Sequence, residues 1–224
     1  GFIIGGSARK PVLITAKGPS LAEYGVPTPL ADPSLTLHDA QGEIIGSNDN
    51  WEHAPNAEQI AAYPAHPNKP HEAAILTTLN PGAYTAIVRG VNGATGNALV
   101  EVYDLDLDNP ASRLSNISTR DWVSTNDNVA IGGFIITGSA PKPVLITAQG
   151  PSLAEYGVPS PLADPTLTLH DVTGRIIDNN DDWGTTENAA HIEQFLGHAL
   201  DPQEAALLIT LEPGAYTAII RGAN

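Results

Sequence analysis

Residues 1–92 recur as residues 133–224 at a constant offset of 132, without a gap, and 61 of the 92 paired positions are identical. A repeat this close means that one folding unit is used twice. Any fold must therefore be explicable one copy at a time. Two full periods would need 264 residues, 40 more than the 224 present. The first copy has no counterpart of Arg113–Gly132 ahead of it, and the second has none of Gly93–Ser112 behind it. The sequence is thus read as a window cut from a longer array, or as two units with open edges that a neighbour completes. Pro110, in the acidic stretch 104–112, cannot donate to a sheet ladder and marks the boundary. This places one domain at residues 1–108, short at its head, and a second at 113–224, short at its tail.

Within each copy the strand signals dominate. Pro11–Ala16 is a short β-rich run closed by Gly18-Pro19. Ser34–His38 alternates apolar and polar residues, the period of a half-buried strand. Gln41-Gly42 turns the chain into Glu43–Ile45. Ala73–Leu79 and Ala83–Arg89 read as a hairpin closed by Asn80-Pro81-Gly82. Ala98–Asp104 is a further strand, and the one without a second copy. The expected fold is all-β: two tandem antiparallel β-sandwich domains, Ig-like or jelly-roll-like, with very little helix. The expected core is Leu13, Leu35, Leu37, Leu79 and Ile87, with Leu145, Leu167, Leu169, Leu211 and Ile219. Ser20–Glu23 and Ser152–Glu155 match a capping box before one turn of helix. Residues 56–62 and 188–196 are open to short helices over one sheet edge, although the divergent, polar stretch 52–71 reads best as a solvent-facing loop.

Composition excludes several functions. The chain has no Cys, so disulfide scaffolds, thiol catalysis and thiolate metal sites are ruled out. It has no Met, the mark of a mature or excised piece. A net charge of −15 repels nucleic acid and anionic membrane surfaces. No apolar run approaches the ~18 residues that a membrane span needs, so membrane insertion is not expected.

The candidate chemistry lies in a few clusters. Asn48 and Asp49 before Trp51 match Asn180, Asp181 and Asp182 before Trp183. Such oxygen-dense turns suit Ca²⁺, a hard ion needing six to eight oxygens, although the EF-hand order is absent. The same side chains also serve as turn formers that bond their own backbone, and both readings stand. Asn126-Asp127-Asn128 is a third cluster. Trp51 and Trp183 read as lids on a core in preference to sugar platforms. His38 and His170 read as solvated strand residues. Glu72 and Glu204 recur, as do Arg89 and Arg221, and a buried or cross-strand ion pair explains them as well as acid–base work does. Gly18–Ala22 lacks the last glycine of a nucleophile elbow, and no phosphate loop occurs, so no enzyme is expected. Asn116-Ile117-Ser118 is a sequon for N-linked sugar, and residues 26–33 are open to O-linked sugar.

The stretches 35–49 and 79–90 resemble bacterial pre-peptidase C-terminal-type domains, secreted β-sandwich accessory modules. More closely, Arg113-Leu-Ser-Asn-Ile-Ser-Thr-Arg120, Gly132-Gly-Phe-Ile-Ile136, Gly18-Pro-Ser-Leu-Ala22 and Ala31-Asp-Pro33 resemble tandem repeats of large exported proteins of environmental bacteria. Related Ig-like repeat proteins form extracellular, pilus-like fibrils by donor-strand exchange. The resemblance implies a structural subunit at the cell surface or beyond it, with copies of itself as partners, and glycans as further candidates. The alternative is a calcium- or carbohydrate-binding accessory module. A sandwich lacking a strand exposes unpaired N–H and C=O groups and an apolar groove. Gly1, Phe2, Ile3 and Ile4 are the expected donor, and the groove beside Tyr216, Ala218 and Ile220 the expected acceptor.

Overall fold

The computed structural model describes residues 1–124 and 128–223. Strand accounts for 44% of the chain and helix for 15%, so the protein is mostly β. Asn126, Asp127 and the terminal Asn224 lie outside the described residues. The chain divides into two compact units, Gly1–Ser118 and Thr119–Asn224.

The first unit holds eight strands: β1 Phe2–Gly6, β2 Lys10–Lys17, β3 Pro33–His38, β4 Ile44–Asn48, β5 Ala73–Leu79, β6 Gly82–Gly90, β7 Leu99–Asp104 and β8 Ser112–Ile117. One sheet has the order β4-β3-β6-β1-β8 and the other β5-β2-β7, with every pair antiparallel. Period-2 alternation sends Phe2, Ile4, Leu35 and Leu37 from the first sheet into one buried cluster. Val12, Ile14 and Ala73 reach the same cluster from the second. A second cluster lies on the other face of β2. There Leu13 and Ala74 are roofed by Trp51 and by Ile60 of the short helix α1, Ala57–Ala61.

Two details of the chain path differ from the sequence reading. β5 and β6 do not form a hairpin, because β5 pairs with β2 while β6 pairs with β3 and β1. The Pro81-Gly82 corner carries the chain from one sheet to the other. The boundary also falls after Ser118 and not at 104–113. Residues 112–117 form β8, which pairs along β1. A segment behind the first copy thus fills the place read as missing at its head.

The second unit repeats this plan with six strands among the described residues: β9 Ala130–Ile136, β10 Lys142–Ala148, β11 Pro165–Asp171, β12 Ile176–Asn180, β13 Ala205–Leu211 and β14 Gly214–Gly222. Their sheets are β12-β11-β14-β9 and β10-β13. Helix α2, Ala189–Leu196, is one of the expected short helices and packs Ile192 against Leu200 and Ala206. Of the expected core, Leu13, Leu35, Leu37, Leu79, Leu167, Leu169 and Leu211 are buried, while Ile87, Leu145 and Ile219 are half-buried.

The loop after β2 explains a recurring glycine. A Cβ on Gly18 would stand 2.1 Å from the Leu30 carbonyl oxygen, and one on Gly150 would stand 2.2 Å from that of Leu162. Only glycine lets the two backbones approach so closely.

Candidate functional site

The carboxylates singled out from the sequence are buried, and they serve the backbone. Glu72 is fully buried, and its Oε1 accepts from Gly18 N (3.0 Å), Ser20 N (2.9 Å) and Ser20 Oγ (2.6 Å). Glu204 does the same for Gly150 N, Ser152 N and Ser152 Oγ at 2.9, 3.0 and 2.5 Å. The ion-pair reading with Arg89 and Arg221 is therefore replaced. A buried carboxylate here holds the loop after β2 by several charge-assisted bonds. The capping-box reading of Ser20 is replaced as well. Gly18 sits at the N-cap of the 3₁₀ turn Pro19–Tyr24, and the Ser20 hydroxyl is turned onto Glu72.

The Asn/Asp clusters are divided between structure and solvent. Asn48 Oδ1 accepts from Ala74 N at 2.9 Å, and its Nδ2 donates to the Asn50 carbonyl. Asn180 repeats both bonds with Ala206 N and the Asp182 carbonyl. The two asparagines thus staple the end of one sheet to a strand of the other, each through both ends of its amide. Asp49 and Asp181 are exposed, and Asp182 is half-buried. Partial desolvation of its carboxyl by neighbouring atoms, followed by repulsion from Asp164 and Asp182, raises Asp181 above its ordinary value. Among the described residues no three His, Asp or Glu side chains group as metal ligands.

The tryptophans act as lids. Trp51 Nε1 donates to the Lys69 carbonyl and Trp183 Nε1 to the Asp201 carbonyl, each at 3.1 Å. His38 is half-buried, and its ring nitrogens lie against Thr36 Oγ1 and the Gly42 carbonyl at 3.0 Å each. In the matching turn, Asp171 is held down to about 2 chiefly by the Thr173 hydroxyl; desolvation opposes this, and bonds from Arg175 and the turn backbone add to the lowering. Asn116 is exposed on β8, across from Ile3.

The expected donor and acceptor are both occupied within their own units. β1, with Phe2 and Ile4 buried, lies between β6 and β8, and Phe2 stacks on Tyr84 at 5.6 Å. Gly1 donates from its amino group to the Ser118 carbonyl, and Ile3 faces outward, 38% exposed. β14 lies between β11 and β9, and Tyr216, Ala218 and Ile220 belong to the core of the second unit. Neither segment offers an open edge. A terminal apolar run is stabilised by pairing at once with its own sheet.

The two units differ in which strands are covered among the described residues. In the first unit β7 covers β2 and β8 covers β1. In the second unit β10 and β9 have no such neighbours among the described residues. Lys10–Ala16 of β2 and Lys142–Ala148 of β10 are identical in sequence, so exposure reports the cover directly. Lys10, Val12, Leu13, Ile14 and Thr15 are each 0% exposed. Lys142 is exposed, and Val144–Thr147 are half-buried. Ile135 is 70% exposed where Ile3 is 38%. The clearest difference is in charge. Lys10 Nζ is buried against Asp104 Oδ1 at 2.9 Å and donates to the Asp106 carbonyl at 2.5 Å. Lys142 has no ion-pair partner among the described residues. The sequence reading passed over Lys10, although a lysine heading an apolar strand in both copies was a signal for it.

No family model matches the chain, and no curated protein does. Among the described residues no helix is long and apolar enough to cross a membrane.

Proposed function

We propose that this chain is a structural subunit of an extracellular fibril or pilus-like filament. In this reading it consists of two tandem antiparallel β-sandwich repeats, carries no catalytic centre, and joins neighbouring protomers by strand complementation. One observation carries the reading. One β folding unit is used twice in tandem, with 61 of 92 paired positions identical and the same strand beds in both copies, as in a chain built to be repeated. A contact made by one surface on a different surface is heterologous, and it propagates instead of closing. The recurring carboxylates Glu72 and Glu204 support a building role, since each organises backbone.

Negative-stain microscopy and sedimentation of the intact protein over a concentration series test this. Filaments of uniform width are expected. Monodisperse single chains at every concentration would overturn it.

A further inference from the structure

We infer that the hydroxyls of Thr28 and Ser160 are attachment sites for O-linked sugar, one at the same loop corner of each unit. The inference stands apart from the fibril reading, because it needs only a surface hydroxyl and a sugar-transferring enzyme that reaches it.

The loop after β2 is nearly unchanged between the copies. Residues 18–33 and 150–165 are identical at 15 of 16 positions, and the single exchange is Thr28 for Ser160. That exchange drops a methyl group and keeps the hydroxyl. A second exchange of this kind, Ser34 for Thr166, has its reason inside the fold. Ser34 Oγ donates to the Arg89 carbonyl at 3.1 Å, and Thr166 Oγ1 to the Arg221 carbonyl at 3.4 Å. The loop hydroxyls donate no such bond. Thr28 Oγ1 meets the Asn97 side-chain amide at 3.5 Å, as acceptor and at more than a normal hydrogen-bond length. Ser160 Oγ has no partner among the described residues. Both residues are exposed.

The backbone points the same way. Thr28 has a φ of 46° and Ser160 a φ of 51°, in the left-handed region. Gly, Asn and Asp visit that region most readily, whereas a β-branched threonine there is an outlier. A position selected for its backbone alone would hold one of those three. Both copies hold a hydroxyl instead, so the strain is kept for the side chain. Prolines flank each site, Pro27 and Pro29 in one copy and Pro159 and Pro161 in the other. Their fixed φ stiffens the corner that presents the hydroxyl. At its base the loop is pinned by Glu72 or Glu204. Surface hydroxyls set among prolines suit O-linked sugar.

Charge selects sugar over phosphate. A phosphoryl group needs a cationic partner. The loop carries Glu23 and Asp32 in one copy, Glu155 and Asp164 in the other, and no Lys or Arg in either. Lys69 is paired with Glu23, and the residue in its place in the second copy is Asp201. A neutral sugar meets no such repulsion. In the transfer, the hydroxyl oxygen attacks the anomeric carbon of a sugar activated as a diphosphate ester. The bond from that carbon to the diphosphate oxygen breaks, and the diphosphate leaves with the electron pair. The hydroxyl proton passes to a base of the transferring enzyme.

The test maps modifications on the intact chain purified from its native cells, by mass spectrometry with electron-transfer fragmentation, which leaves side-chain sugars in place. Sugar on both Thr28 and Ser160 is expected, and mild alkali should remove it by β-elimination. A bare hydroxyl at either position would overturn the inference. So would phosphate there, or sugar confined to Asn116 or to other hydroxyls. The double variant Thr28→Asn, Ser160→Asn removes both hydroxyls and keeps residues that tolerate positive φ. It should abolish sugar at both corners. In chain produced without sugar, the same variant should hold Tm within about 2 °C or raise it. A larger fall would assign the hydroxyls to the fold itself and overturn the inference.

Discussion

Lys10 and Lys142 occupy equivalent places in two nearly identical repeats, so one substitution made at both sites measures what a covering strand does to a charge. Lys10 is fully buried and paired with Asp104, whose side chain is 12% exposed. Removing the lysine strands a carboxylate that has little access to water. Breaking a buried pair from one side costs about 3–5 kcal/mol, and the residual exposure of Asp104 favours the lower end, about 3 kcal/mol. Lys142 is exposed and has no ion-pair partner among the described residues, so its loss should stay within about 0.5 kcal/mol. For a unit of this size each kcal/mol moves Tm by about 4 °C. Lys10→Ala should therefore lower the transition of the first unit by about 12 °C, and Lys142→Ala should leave the second nearly unmoved. Calorimetry of the full chain reads both, and hydrogen exchange along β2 and β10 assigns each change to its unit. A Lys10→Met, Asp104→Leu double variant removes both charges and keeps volume. It should recover most of the loss, since a buried pair is often no better than well-packed apolar side chains. The reasoning fails if Lys10→Ala and Lys142→Ala cost the same, or if the double variant is as unstable as Lys10→Met alone.

Glu72→Ala leaves three donors around Gly18 and Ser20 without their acceptor, and should destabilise by about 3 kcal/mol or more. Glu72→Gln keeps an oxygen in place and should cost less, as chemical denaturation will show. Asn48→Ala orphans the Ala74 N–H and should cost about 1–3 kcal/mol, while calcium or chelator should leave the melting curve of the unaltered protein in place. Asp171 titrates at about 2 in the fold against an ordinary 3.8. Its contribution is thus complete above about pH 4 and disappears as pH falls through about 2. Thr173→Val should move that titration upward, which carboxyl-resolved NMR will follow. Leu37→Ala and Leu169→Ala, both in the centre of a core, should each cost about 2–5 kcal/mol in thermal denaturation.

The repeat and the period-2 pattern determined much of this protein by themselves. Alternation at Leu35 and Leu37 identifies a strand and its buried face whatever surrounds it, because the pleat is a local property of the backbone. The apolar run Ala73–Leu79 likewise marks a strand. What local pattern cannot specify is the partner of each strand. β5 and β6 look like a hairpin across Pro81-Gly82, yet they lie in different sheets, because both inner faces must meet across one core. β8 was hidden behind the Asp/Asn/Pro punctuation of residues 104–112, and with it the real end of the first unit. Phe2–Ile4 has the composition of a loose apolar strand, and only the tertiary structure reveals that β6 and β8 already hold it. The assignment of roles followed the same division. Asn48, Glu72 and Trp51 were visible as recurring residues, but their chemistry depends on which distant backbone groups the fold brings within 3 Å. Lys10 and Lys142 show the limit most plainly. They are identical residues in identical strands, one buried in an ion pair and the other in water, because a strand more than 90 residues away covers only the first.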